Sequence, residues 1–90
     1  MKIKNISGLE DRIKSSEDAQ VLGEAHYALD IYDFEPMLTL EIEFTPKGVR
    51  VDAAARLEYS EEMKGYYMGE RVDDTALVER ALEEWMAQGE

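Results

Sequence analysis

The chain contains no cysteine, a single histidine and two prolines in ninety residues. Without thiols there is neither a disulfide framework nor a thiolate metal site. With His26 alone, a nucleophilic Ser-His arrangement has one candidate base, and no G-x-S-x-G elbow accompanies it. No apolar run is long enough to span a bilayer. "MKIKNIS" is too short and polar for a signal peptide, which places the chain in a cytoplasm. Lys and Arg are absent from Ser15 to Pro46. That last gap is the most informative, because the same stretch holds Glu17, Asp18, Glu24, Asp30, Asp33, Glu35, Glu41 and Glu43.

What remains is a small, acidic, foldable chain. Apolar residues make up 44% of it, with five Tyr, two Phe and one Trp, enough for a core and too many for a disordered acidic tail. Ninety residues make one domain (1–90), too small for a deep catalytic cavity. The formal net charge is −11, from 21 acidic and 10 basic residues. Residues 1–14 lean basic through Lys2, Lys4, Arg12 and Lys14, so the acidity lies further along. Such a field repels nucleic acid and anionic lipid and attracts basic proteins.

The two prolines, Pro36 and Pro46, bracket the clearest strand. Leu38, Leu40, Ile42 and Phe44 alternate with Thr39, Glu41, Glu43 and Thr45, and Thr45-Pro46-Lys47-Gly48 supplies a tight turn. The turn sets Phe44 opposite Val49, Ile42 opposite Val51, Leu40 opposite Ala53 and Leu38 opposite Ala55. On the other face Glu43 meets Arg50, and Glu41 crowds Asp52. A third strand is expected around Met63–Val72. A final helix follows, capped by Asp73 or Asp74 and ending near Gly89. Its apolar stripe is Val78, Ala81, Leu82, Trp85 and Met86.

Upstream, residues 2–6 suit a short strand or extended arm, and Ser7 with Glu10 fits a capping box opening a short helix. Ser15-Ser16 then reads as a fresh N-cap, followed by Val21, Leu22, Ala25, Ala28, Leu29 and Tyr32 at helical spacing. Gly23 sits awkwardly inside that helix. The expected fold is therefore α+β: a small antiparallel three-stranded sheet with helices packed on one face, in the order α-α-β-β-β-α.

Catalytic motifs are scarce, and a non-enzyme is expected, with no cofactor and no metal. "DIYDFEP" lacks the alternating ligands and central Gly of a calcium loop, and "GYYMG" lacks a phosphate loop's lysine. Tyr66 and Tyr67, neighbours on a strand, point to opposite faces, so one is expected in the core and the other at an interface. The acidic block suggests a protein-binding inhibitor, with Glu17, Asp18, Glu24, Asp30, Asp33, Glu35, Glu41, Glu43, Asp52, Tyr66 and Tyr67 at the contact. Carboxylates at i and i+2 of a strand stand about 6.7 Å apart, close to the spacing of successive phosphates. In size, charge and lack of cysteine the chain is similar in kind to phage anti-CRISPR and anti-restriction proteins, which implies blocking of a basic nucleic-acid groove by DNA mimicry. An immunity protein or antitoxin facing a basic toxin, and a self-associating accessory module that forms a homodimer, are the alternatives. Direct binding to nucleic acid or membrane is not expected.

Overall fold

A hairpin organises the fold. The computed structural model describes residues 1–88, and β4 (Leu38–Thr45) and β5 (Gly48–Ser60) lie at the middle of its sheet. The Pro46-Lys47 turn closes as its residues dictate. Gly48 adopts φ +133°, and the Thr45 hydroxyl donates to the Gly48 carbonyl at 2.9 Å and accepts from the Lys47 N–H at 3.2 Å. Phe44 pairs with Val49, Glu43 with Arg50 and Ile42 with Val51, as the turn requires.

Beyond that point the register departs from strict alternation. Glu41 pairs with Ala53, Leu40 with Ala54 and Leu38 with Arg56, so Asp52 is the extra residue of a β-bulge. Before the bulge β5 turns Val49 and Val51 inward. After it, Ala54 faces the core while Ala53 and Ala55 face away.

The largest correction concerns residues 15–32. They form no helix; they are a second antiparallel hairpin, β2 (Ala19–Gly23) and β3 (His26–Ile31), turning through Glu24-Ala25. Tyr27, Leu29 and Ile31 are buried in alternation, a period of two that secures β3 against β4. The helical spacing of Val21, Leu22, Ala25, Ala28 and Leu29 is incidental: Val21 and Leu22 are exposed.

With β1 (Lys2–Ile3) and β6 (Gly65–Arg71), the sheet has six strands instead of three, in the order β1-β5-β4-β3-β2 with β6 also on β5. Arg50 pairs with both Lys2 and Glu43, and Ala55 with both Thr39 and Arg71. One edge of β5 is therefore given to β4, and the other is shared end to end by β1 and β6.

Two helices complete the described residues, α1 (Leu9–Lys14) and α2 (Thr75–Gln88). Leu9 and Ile13 of α1 and Val78, Ala81, Leu82 and Trp85 of α2 join Leu29, Ile31, Leu38, Leu40, Ile42 and Val51 in one core. The Ser7 capping box does not form; Gly8 occupies the N-cap at φ +80° without a side-chain cap. For α2 the cap is Asp74, whose Oδ1 accepts the Leu77 N–H at 3.2 Å. Gly89, expected at its C-terminus, lies outside the described residues. Arg12 fastens α1 to α2, stacking 4.4 Å over the Trp85 ring and donating to the Met86 carbonyl at 3.0 Å. Among the described residues no helix is long and apolar enough to cross a membrane.

Candidate functional site: the outer face of the sheet

Both helices contribute to the core on one side of the sheet, so the opposite side carries whatever the strands turn away from it. Alternation places His26, Ala28 and Asp30 of β3 there, with Thr39, Glu41 and Glu43 of β4, and Arg50, Ala53 and Ala55 of β5. Ala28, Ala53 and Ala55 are too small to fill the surface. They floor a groove of about 360 Å³ lined also by Thr39, Glu41, Asp52, Met68 and Arg71. A second hollow continues it through Thr39 and Ala28 toward Glu17, Asp18, Asp30 and Tyr32. Ala55 and Leu57 are buried without belonging to the main core, which marks this side as partly apolar in its own right.

The bulge re-aims Asp52. Instead of opposing Glu41, its carboxylate accepts from Arg50 Nε at 2.7 Å, and the Arg50 guanidinium also grips Glu43. Those bonds raise the Arg50 pKa, chiefly through the hydrogen bond to Asp52. His26 Nε2 lies 3.7 Å from Glu41 Oε1 and 3.6 Å from Asp52 Oδ2. Both distances exceed hydrogen-bond length, and Nε2 is buried with no hydrogen-bond partner. The hairpin carboxylates thus form one array, Glu41–His26–Asp52–Arg50–Glu43, across three strands.

Asp30 is held by the Thr39 hydroxyl at 2.7 Å and the Tyr32 hydroxyl at 3.3 Å. Burial, then the Asp30 charge, raises the Tyr32 pKa. Tyr32 meets Tyr66 edge-on at 5.2 Å, and Tyr66 meets Tyr59 at the same distance, so three exposed tyrosines form one cluster at the β3/β6 end.

Of the residues expected at a contact, Glu17, Asp18, Asp30, Glu41, Glu43, Asp52 and Tyr66 gather on or beside this face. Glu24 stands apart on the β2–β3 turn, and Asp33 and Glu35 lie on the β3–β4 connection, where the Asp33 carbonyl accepts from Gln88 Nε2 at 3.1 Å. Neither Tyr66 nor Tyr67 joins the core: they are 50% and 42% exposed. Tyr67 projects to the opposite side, donating to Glu58 Oε1 at 3.2 Å, and the Glu58 charge raises its pKa. His26, Tyr32, Tyr59 and the alanine floor were not anticipated. The period-two signal in "HYALDI" was the clue to His26, Ala28 and Asp30.

Among the described residues no group of three or more His, Asp or Glu side chains has the geometry to hold a metal ion. Comparison with protein-family models, with curated proteins and with solved structures finds no match to this chain.

Proposed function

We propose that the protein is a non-catalytic acidic inhibitor that lays the outer face of its sheet on a basic, nucleic-acid-binding surface of another protein and occludes it. One observation carries the reading. Glu41 and Asp52 line the alanine-floored groove, Glu17, Asp18 and Asp30 line the hollow that continues it, and Glu43 stands beside them on Arg50; among the described residues Arg71 is the one guanidinium group lining either hollow. A surplus of carboxylates on a rigid sheet suits pairing with lysines and arginines that otherwise hold phosphates. An immunity protein or antitoxin would use the same chemistry, and only the target distinguishes it.

The test is capture of the partner from a host lysate, followed by competition between this protein and nucleic acid for the captured protein. Association should slow steeply as salt rises, and Glu41→Lys with Glu43→Lys should slow it on the order of tenfold. An association rate indifferent to both removes the outer face from the contact.

A second reading, self-association as an accessory module, is favoured by the exposed Tyr32, Tyr59 and Tyr66 with Met63 and Met68 nearby in sequence. Sedimentation of the isolated protein over a range of concentrations decides it, since a homodimer needs no partner.

A further inference from the structure

The edges of the sheet are not treated alike. β1 is two residues long, contains Lys2 and is followed by Lys4. β6 contains Glu70 and Arg71 along with Gly65 and Gly69, and Lys64 immediately precedes it. Shortness, charge and glycine are the usual means of keeping a sheet edge from pairing with another chain. β2 has only a bulge near Gly23: Ala19, Gln20, Val21, Leu22 and Gly23 include no charge and no proline. Among the described residues no strand pairs its far side.

The hydrogen-bond phase of that edge can be read directly. The Asp30 N–H donates to the Asp18 carbonyl at 3.1 Å, so Asp18 and Gln20 turn their backbone groups toward β3. Ala19 and Val21 turn theirs outward, each offering an N–H and a carbonyl oxygen. Val21 is 75% exposed and Leu22 47%, an apolar pair with nothing over it. Glu17 and Asp18 precede this strand and Glu24 follows it.

We infer that the free edge of β2 is a strand-addition site for an extended, basic segment of a partner protein. Open backbone groups supply the affinity, Val21 and Leu22 the apolar contact, and the flanking carboxylates the selection for Lys or Arg. Asp18 and Glu24 lie six residues apart, about 20 Å along a strand, which sets the spacing of the cations sought. A second copy of this chain is the wrong occupant. Antiparallel pairing about Val21 sets Asp18 opposite the second copy's Glu24 at both ends, and centring on Gln20 only moves the like charges to neighbouring positions. Each copy also brings a net charge of −11. The inference rests on the proposed function only for the sign of the partner's charge.

A synthetic heptapeptide, Lys-Thr-Val-Thr-Val-Thr-Lys, tests it by titration against the whole protein with amide hydrogen exchange read by NMR. Exchange at Ala19 and Val21 should slow when the peptide is added. Val21→Pro should weaken binding by about tenfold or more while the fold stays intact, because the Val21 N–H serves no bond within the sheet. Asp18→Lys with Glu24→Lys, which leaves the backbone edge unchanged, should weaken this peptide and favour one with Glu at both ends. No binding, protection located elsewhere, or indifference to Val21→Pro overturns the inference. Concentration-dependent protection of Val21 without peptide overturns it in favour of a second copy. If Glu41→Lys with Glu43→Lys weakens the peptide and Val21→Pro does not, the edge is not the site and the outer face stands. The converse result retains the edge as the peptide's site and leaves the outer face to be judged by the partner's association rate.

Discussion

β4 lies between two strands and buries Leu38, Leu40 and Ile42 almost completely, whereas β2, two places along the same sheet, leaves Val21 and Leu22 in water. The first strand is packed against both helices through the shared core and paired along both edges. The second is bonded on one side only. The difference separates two roles within one sheet: the middle carries the stability of the fold, and the edge is left with bonding capacity that folding does not use. The acidic residues follow the same division. On β4 and β5 the carboxylates Glu43 and Asp52 are bonded by Arg50, and Glu41 and Asp52 stand beside His26, while Glu17, Asp18 and Glu24, which flank β2, belong to the stretch from Ser15 to Pro46 that holds no Lys or Arg.

The comparison can be broken most sharply at Ile42. Truncation to Ala should cost about 2–5 kcal/mol, read as a fall in the denaturant midpoint without a change in slope. A loss much below that would mean that the centre of the sheet does not carry the load assigned to it. Asp74→Ala, which uncaps the helix packed over that core, should cost about 1 kcal/mol in the same measurement. At the edge, Val21→Thr should stay within about 0.5 kcal/mol of the parent, since little of that side chain is buried. A larger effect would show β2 to be structural after all.

The smallest expected change concerns Tyr67, whose pKa the Glu58 charge and hydrogen bond hold above the ordinary 10.0. A raised folded-state value means a contribution present below pH 10 and lost as the pH climbs through the raised value. Glu58→Gln should bring the alkaline absorbance titration of Tyr67 back toward 10.0 and flatten that part of the stability profile. An unmoved titration would place the cause elsewhere than Glu58.

Legibility in the sequence followed the same line between centre and edge. In β4 the alternation of Leu38, Leu40, Ile42 and Phe44 runs uninterrupted into a turn whose residues fix the register, so local pattern and tertiary pairing agree. α2 is legible because its stripe is long enough to distinguish a period of 3.6 from one of two. Residues 19–31 are short and rich in small apolar residues, and both periods can be traced through them. Only the neighbouring β4, which buries Tyr27, Leu29 and Ile31, selects between them. Placing His26 on a helix also hid its approach to Glu41 and Asp52, because that approach exists only once β3 lies beside β4. The acidic composition of the outer face could be read from the chain, but the alanine floor and the tyrosine cluster could not, since both depend on where β5 places its bulge.

The bulged residue, Asp52, acts as a change of parity. If Asp52 paired in regular register instead of being bulged, β5 would turn odd-numbered residues inward along its whole length, and Leu57 and Tyr59 would point toward the helices. With position 52 taken up by the bulge, every later position lies on the side opposite to that regular count. The same thirteen-residue strand then serves the core with its first half and builds the outer surface with its second, placing Tyr59 where it can meet Tyr66. Regular pairing through position 52 would therefore exchange inside for outside over the rest of the strand, whereas deleting Asp52 would keep Ala53 opposite Glu41 and Ala54 opposite Leu40 and leave both faces as they are.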